Sequence, residues 1–236
     1  MSGRGALWMV WGIAADGALR RSIASFRDHH PELPVHVARL PAAPGQEAFG
    51  ALAQKARMAE LSPFAETVFL DADTVVLGRL DHGFAMAKRH GIALTICECP
   101  WARRYAGTPA SDADRIEYNT GVVFFTPARR ALFEAWRRLC ATIDSNAIHV
   151  ETPDGSPARM PFNDQAAFSA AVEQLRLSPF ILPPNWNYRP RWSGGSFGPI
   201  RIWHSYRDVP AEVHRINAFY ARPGAILQFH RLDVSP

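Results

Sequence analysis

Apolar residues fall into short continuous runs that alternate along the chain with stretches of helical spacing, the pattern of an α/β protein. Ala6 to Ile13 is the first run, and Ala14-Ala15-Asp16-Gly17 is its exit turn into a helix with Leu19, Ile23 and Phe26 on one face. A strand feeding a helix through a short turn opens a doubly wound sheet, whose ligands bind at the carboxyl ends of the strands. Pro34 to Leu40 is a second short strand. Phe49, Leu52, Ala56 and Ala59 mark a helix that ends near Ser62-Pro63, because the residue before a proline leaves the helical region. Val68 to Leu77 is long enough for a buried strand and its continuation, and Gly91 to Cys97 is a further core strand. Tyr118-Asn119-Thr120-Gly121 opens the apolar strand Val122 to Phe125. Thr126-Pro127 has the form of an N-cap with proline at the first helical position, before a stripe of Leu132, Phe133, Trp136, Leu139, Cys140 and Ile143. Another helix starts at Phe162-Asn163-Asp164-Gln165, with Phe168, Ala171, Val172 and Leu175 on its core side. Leu175 to Leu182 and Pro199 to Trp203 read as late strands. The polar loop at 98–117 is too long for a simple connector and is a candidate for lid or acceptor contacts, as is the loop at 184–198.

Two carboxylates interrupt the run Val68-Phe69-Leu70-Asp71-Ala72-Asp73-Thr74-Val75-Val76-Leu77, and packing does not require them. In an extended segment Asp71 and Asp73 project to the same side while Ala72 turns inward. At about 5 Å and an effective dielectric near 20 they repel by roughly 3 kcal/mol, a cost that a divalent cation between them removes. Hard carboxylate oxygens suit Mg²⁺ or Mn²⁺. The structural alternative is an Asx turn closing the strand. A chemical alternative is the opening of a haloacid-dehalogenase-type phosphatase, with one Asp as nucleophile and the other as acid/base.

At 236 residues and 47% hydrophobic the chain can bury one substantial core, so residues 1–236 are expected to form a single domain. The net charge of +4 rests on 24 Arg and only two Lys, Lys55 and Lys88. This skew fits a GC-rich genome better than a nucleic-acid-binding surface, since no basic block interleaved with aromatics occurs outside 186–192. No nucleic-acid partner is expected. In a chain that nearly always uses Arg, a retained Lys55 hints at a need for a compact ammonium, although an exposed helical lysine is the commoner reason for one. Aromatics and guanidiniums crowd the stretch Trp186 to Trp192, where they can stack on sugar rings or pack the loop onto the body.

Three cysteines, Cys97, Cys99 and Cys140, are too few and too unevenly spaced for a disulfide framework or a zinc site. Cys97 and Cys99 are expected to be core thiols, and the expected setting is a reducing compartment, the cytoplasm. The N-terminal run imitates a short signal peptide, but its two tryptophans and the following Asp16 fit a first buried strand better. No apolar run is long enough to span a membrane, which leaves peripheral membrane contact open.

Taken in order, these pieces resemble the nucleotide-sugar glycosyltransferases of the GT-A fold, in particular the glycogenin-like and lipopolysaccharide galactosyltransferase-like group, over nearly the whole chain. Ala14-Ala15-Asp16 is similar to that family's first nucleotide-binding turn, and Lys55, sixteen positions before Asp71, to its donor-site lysine. Asp71-Ala72-Asp73 resembles the metal-binding motif, and Asn119-Thr120-Gly121 the Asn-x-Gly that lines the donor sugar. Asn163-Asp164-Gln165 resembles the Asp-Gln pair near the reacting carbon, and His204 the late metal-ligating histidine. The sequence departs from the pattern twice. Leu19 stands nearest the position of a uracil-stacking tyrosine, and Ser205-Tyr206-Arg207 replaces a glycine and Lys-Pro-Trp after the histidine, so that Arg207 is the candidate for the phosphate contact.

The resemblance implies an α/β GT-A fold, a Rossmann-like mixed sheet flanked by helices. It implies metal-dependent transfer of a sugar from a nucleoside-diphosphate sugar, a UDP-sugar above others, with retention of configuration. Mn²⁺ or Mg²⁺ would be held by Asp71, Asp73 and His204. Ala14, Asp16, Lys55, Asp71, Ala72, Asp73, Asn119, Thr120, Gly121 and Arg207 would line the donor, and Asp164 and Gln165 would flank the reacting centre. The acceptor would be a saccharide, a lipid-linked group or a protein. The phosphatase alternative fits less well, because a strand, helix and strand precede Asp71 and because Asp112 and Asp114 follow no apolar run. A non-catalytic nucleotide-binding protein is the third reading.

Overall fold

The computed structural model of the chain describes residues 3–11, 16–41, 53–98, 116–142 and 164–232, together with the backbone of 148–150 and 157–159. Strand β1 (Arg4–Trp11) is followed by helix α1 (Asp16–His29) and β2 (Val35–Leu40). A 3-10 turn (Lys55–Arg57) and the short helix α2 (Met58–Leu61) precede β3 (Glu66–Leu70) and β4 (Thr74–Val76). Next come α3 (Asp81–His90), β5 (Ile92–Ile96), β6 (Tyr118–Phe125), α4 (Arg130–Cys140), β7 (Ile148–Val150) and β8 (Pro157–Arg159). The last part holds α5 (Asp164–Gln174), β9 (Phe180–Ile181), β10 (Gly195–Phe197), β11 (Ile202–His204), α6 (Ala211–Tyr220) and β12 (Phe229–Arg231).

Six strands form one mixed sheet in the order β2-β1-β3-β6-β5-β9, in which β6 alone runs against the other five. Its two faces follow the period-2 alternation of the strands. Leu7, Met9, Phe69, Leu94, Val123 and Phe125 pack under α4 and α5, against Phe133, Trp136 and Phe168. Ala6, Trp8, Val10, Val68, Leu70 and Phe124 pack on the other face against Leu19 and Phe26 of α1 and Phe84 of α3. Both faces are covered, which is why the strands read as continuous apolar runs. Cys97 and Cys140 are buried and outside any disulfide, Cys97 being the core thiol expected, and burial pushes the Cys140 thiol up to about 12. Cys99 lies outside the described residues, as do Ile13, Ala14, Ala15, Asn163 and most of the 98–117 loop.

The helices α3 and α6 are not among the elements expected from the sequence, and three expected elements differ from their pattern, each for a local reason. β1 starts at Arg4, because that guanidinium pairs with Glu66 at 2.7 Å from its register position on β3. The run Val68 to Leu77 is not one extended segment: the Thr74 N–H bonds the Asp71 carbonyl at 3.2 Å, making a turn after which β4 leaves the main sheet and pairs antiparallel with β11. The expected strand Leu175 to Leu182 is only Phe180–Ile181. Arg176 takes a positive φ of 51° there, and the Leu177 N–H bonds the Val172 carbonyl at 3.0 Å, so these positions end the helix instead. β4 and β11 also found a third core with Tyr188, Ile200, Val213 and Ile216, in which the Tyr188 ring stacks on Trp203 at 5.6 Å. Trp186 and Tyr188 therefore pack the aromatic loop onto the body.

Candidate functional site

The carboxyl ends of β1 and β3, the amino end of β6 and the end of β11 meet at one edge of the sheet. The turn between β3 and β4 is fixed from beneath. Trp8 Nε1 donates to Ser22 Oγ at 2.9 Å, Ser22 Oγ lies 2.9 Å from Thr74 Oγ1, and Thr74 Oγ1 donates to the Asp71 carbonyl at 2.8 Å. The Asp71 N–H bonds the Gly121 carbonyl and the Ser205 N–H bonds the Asp73 carbonyl, at 2.8 and 2.9 Å. Asp71 and Asp73 are thus brought together by a turn rather than by the pleat of a strand.

His204 faces both carboxylates, with Nε2 3.3 Å from Asp73 Oδ1 and 3.8 Å from Asp71 Oδ2. One ligand atom from each of the three residues lies within 4.8 Å of the others. The histidine tautomer follows from a backbone donor. The Gly121 N–H donates to Asn119 Oδ1 at 2.9 Å, so that oxygen accepts, and Asn187 Nδ2 donates to it at 2.7 Å and to Thr95 Oγ1 at 3.2 Å. Asn187 Oδ1 then faces His204 Nδ1 at 2.7 Å, where only a ring N–H can donate. Nε2 is left to present its lone pair, or a second proton, to the two carboxylates. A carboxylate pair with one imidazole whose other nitrogen is fixed by a hydrogen bond is a fitting donor set for Mn²⁺ or Mg²⁺. Gly121 is required by this packing, since a Cβ there would stand 2.3 Å from His204 Cε1 and 2.8 Å from Asp71 Oδ2.

Lys55 is buried, not the exposed helical lysine that is the commoner case, and its Nζ donates to Asp71 Oδ2 at 2.8 Å. Burial would lower its pKa, but Asp71, Asp164 and Asp73 outweigh that and hold the ammonium charged. Burial would likewise raise Asp73, but the His204 ring, and behind it Lys55, keep its carboxyl below the usual range. Asp164, at the start of α5, has the opposite balance: burial raises it, and Lys55 and the Thr120 hydroxyl, which donates to Oδ2 at 2.6 Å, offset only part of the rise. Trp136 Nε1 donates to the Asp164 carbonyl at 2.9 Å and fixes the helix start. Gln165 is also buried, its Nε2 directed at Cys97 Sγ at 3.8 Å.

An open cleft of about 230 Å³ lies over the turn, lined by Met9, Val10, Trp11, Lys55, Asp71, Ala72, Asp73 and Tyr206. Asn119, Thr120, Gly121, Asp164 and His204 join this cluster through the contacts above. Asp16 stands apart, paired with Arg39 at 3.4 Å. Arg207 is exposed, its backbone carbonyl accepting from Trp203 Nε1 at 3.2 Å; Tyr206, 71% exposed, is the residue of that segment that lines the cleft. Asn187 and Trp11 were not singled out from the sequence. Asn187 is the one polar residue between two buried aromatics, Trp186 and Tyr188, and that is the signal that could have marked it.

No protein-family model and no curated protein sequence matches the chain. Solved structures do. Mouse xyloside xylosyltransferase 1 in its apo form superposes with a TM-score of 0.56 at 12% identity, over 89% of this chain and all of that one. The galactosyltransferase LgtC in complex with donor and acceptor sugar analogues gives 0.51 at 13% identity, over 94% of this chain and 95% of that one. A variant of LgtC with an active-site glutamine changed to glutamate gives 0.53 at 11%, over 92% and 94%. The fold is that of the GT-A glycosyltransferases.

Proposed function

We propose that the chain is a metal-dependent glycosyltransferase that moves a sugar from a nucleoside-diphosphate sugar, a UDP-sugar above others, to an acceptor hydroxyl, with retention of configuration. The observation that carries this reading is the convergence of Asp71, Asp73 and His204 on one point of a cleft that Lys55 also lines. Asp71, Asp73 and His204 would hold Mn²⁺ or Mg²⁺, which when bound supplies positive charge for the departing diphosphate. Lys55 adds a fixed ammonium beside it, and Arg207 is the proposed phosphate arm. Asn119, Thr120, Gly121 and Asp164 would hold the sugar, and Ala14, Asp16 and Ala72 the nucleoside side of the donor. Gln165 is assigned to the anomeric centre on the resemblance of Asn163-Asp164-Gln165 to the family's Asp-Gln pair; LgtC, a structure of similar fold, has an active-site glutamine. The acceptor is a saccharide, a lipid-linked group or a protein, and the expected setting is the cytoplasm; no helix among the described residues is long and apolar enough to cross a membrane. Among the described residues no further acid joins the two carboxylates and the histidine, which weighs against the phosphatase reading.

Thermal melting with UDP, GDP, ADP, CDP and TDP, each with Mn²⁺, Mg²⁺ or chelator, tests the assignment. Ligand at about a hundred times its Kd stabilises by roughly 2.7 kcal/mol, and for a chain of this length about 2–4 °C accompanies each kcal/mol. A shift of several degrees is expected with a diphosphate and metal together. No shift with any diphosphate under any metal condition would overturn the assignment.

A further inference from the structure

The candidate metal site is assembled from two bodies. Asp71 follows β3 of the main sheet, where its N–H bonds the Gly121 carbonyl of β6 at 2.8 Å. Asp73 and His204 belong to the separate ribbon of β4 and β11, in which His204 pairs with Thr74 and the Ser205 N–H bonds the Asp73 carbonyl at 2.9 Å. The placing of the first carboxylate against the other two residues is therefore set by the register of the ribbon on the sheet.

Consecutive residues of α1 fix that register, one on each arm of the ribbon. On the β4 arm Thr74 Oγ1 donates its one proton to the Asp71 carbonyl, so Ser22 Oγ must donate to Thr74 and accept from Trp8 Nε1. This chain of three bonds runs one way, from β1 of the sheet through α1 to the ribbon and back to the Asp71 backbone, and Trp8, Ser22 and Thr74 are all fully buried. One turn along the helix, Ser25 Oγ donates to the Ser22 carbonyl at 2.8 Å and accepts from the Val76 N–H at 2.9 Å. On the β11 arm Arg21 reaches the segment just after His204. Its Nη2 donates to the Ser205 and Tyr206 carbonyls at 2.9 and 3.2 Å, and its Nη1 to Asp208 Oδ1 at 2.9 Å. Stability alone does not account for this arginine. Asp208 is fully exposed, where an ion pair contributes little, and Arg21 Nε is buried with no acceptor among the described residues, which costs stability.

We propose that Ser22 and Arg21 are positioning residues for the metal site, holding Asp73 and His204 in register with Asp71 while bonding only to the backbone and side chains around them. The proposal rests on the metal reading given above, which concerns the ligands themselves. At Arg21 charge and geometry act in opposite senses. Removing a positive charge from the neighbourhood of a cation site strengthens cation binding, whereas releasing the ribbon weakens it.

Titration of the full chain with Mn²⁺, followed by the electron paramagnetic resonance of the free ion, tests it alongside melting curves taken without metal. Ser22→Ala and Arg21→Met should each lower Mn²⁺ affinity by about tenfold. Arg21→Lys keeps the charge but not the planar fork, and should lose as much as Arg21→Met. Ser62→Ala is the control, since it removes a buried hydroxyl bonded to Thr67 Oγ1 at 2.5 Å near the amino end of β3, and it should lower the melting temperature with Mn²⁺ affinity unchanged. If Ser22→Ala does not fold, the two Arg21 variants decide. Unchanged or tighter Mn²⁺ binding in the Arg21 variants overturns the proposal, as does a loss of affinity in Ser22→Ala no greater than that in Ser62→Ala. A parent chain that binds no Mn²⁺ overturns the metal reading and this proposal with it, whereas a parent and variants that bind Mn²⁺ equally overturn the positioning role alone.

Discussion

Asp73 and Asp164 carry the same side chain, both are largely withdrawn from water, and both feel the charge of Lys55, yet they are pushed in opposite directions. At Asp73 the His204 ring lies 3.3 Å away and the carboxyl is held low; at Asp164 the nearest partner is the neutral Thr120 hydroxyl and burial prevails. Burial alone therefore does not set ionisation here, and the neighbouring group decides. Negative charge is kept at the mouth of the cleft, where a cation can use it, and the deep carboxyl is held as a hydrogen-bonding group.

The largest expected effect tests the mouth. Asp73→Ala should weaken Mn²⁺-dependent nucleotide binding by about a hundredfold or more, because it removes a ligand outright, and even indirect partners of a ligand are worth roughly 10–100-fold. In calorimetric titration Asp164→Asn should retain metal binding within a few fold. Equal losses in the two variants would erase the distinction between them.

The next effect sharpens the comparison by disturbing only the histidine. Asn187→Leu removes the acceptor at Nδ1 and the donor to Asn119 and Thr95. Metal affinity should fall by about 10–100-fold. Stability should fall by about 1–3 kcal/mol from the groups left unpaired. Unchanged metal affinity at reduced stability would mean that the network serves the fold alone.

The smallest effect concerns the deep carboxyl. Its folded pKa lies above its unfolded value, so between the two the native state binds more protons and Asp164 makes stability fall as pH rises through that window. The slope from one group cannot exceed about 1.4 kcal/mol per pH unit. Melting curves of Asp164→Asn and of the parent chain, taken from acid to neutral pH, should diverge in favour of the variant as pH rises and become parallel above the window. Parallel behaviour throughout would place the Asp164 pKa at its ordinary value.

The sheet and the helices α1, α4 and α5 were legible because each core strand is an apolar run and each of these helices has a stripe, whereas α3, whose core side is Phe84 and Ala87, was not read from the sequence. Asp71 and Asp73 stood out as carboxylates in such a run, and Lys55 as one of two lysines among many arginines. The exit of β4 into a separate pairing was not legible, since the turn at Asp71 is held by Ser22 and Trp8, far away in sequence. Asn187 was hidden for a similar reason. Its position depends on the Tyr188–Trp203 stack and on three partners from three other segments, Thr95, Asn119 and His204. Sequence patterns report local periodicity, and these contacts have none.

The antiparallel pairing of β4 with β11 also sets a schedule for biosynthesis. Asp73 and His204 are separated by about 130 residues, which a ribosome working at some 5–20 residues per second makes in on the order of ten seconds. Lys55 leaves the ribosome before Asp71 and can neutralise it at once, whereas Asn187, Tyr188 and His204 all arrive more than a hundred residues after Asp71. A nascent chain that has not reached β11 carries its two carboxylates without their histidine, so the site is completed only after the sheet that supports it.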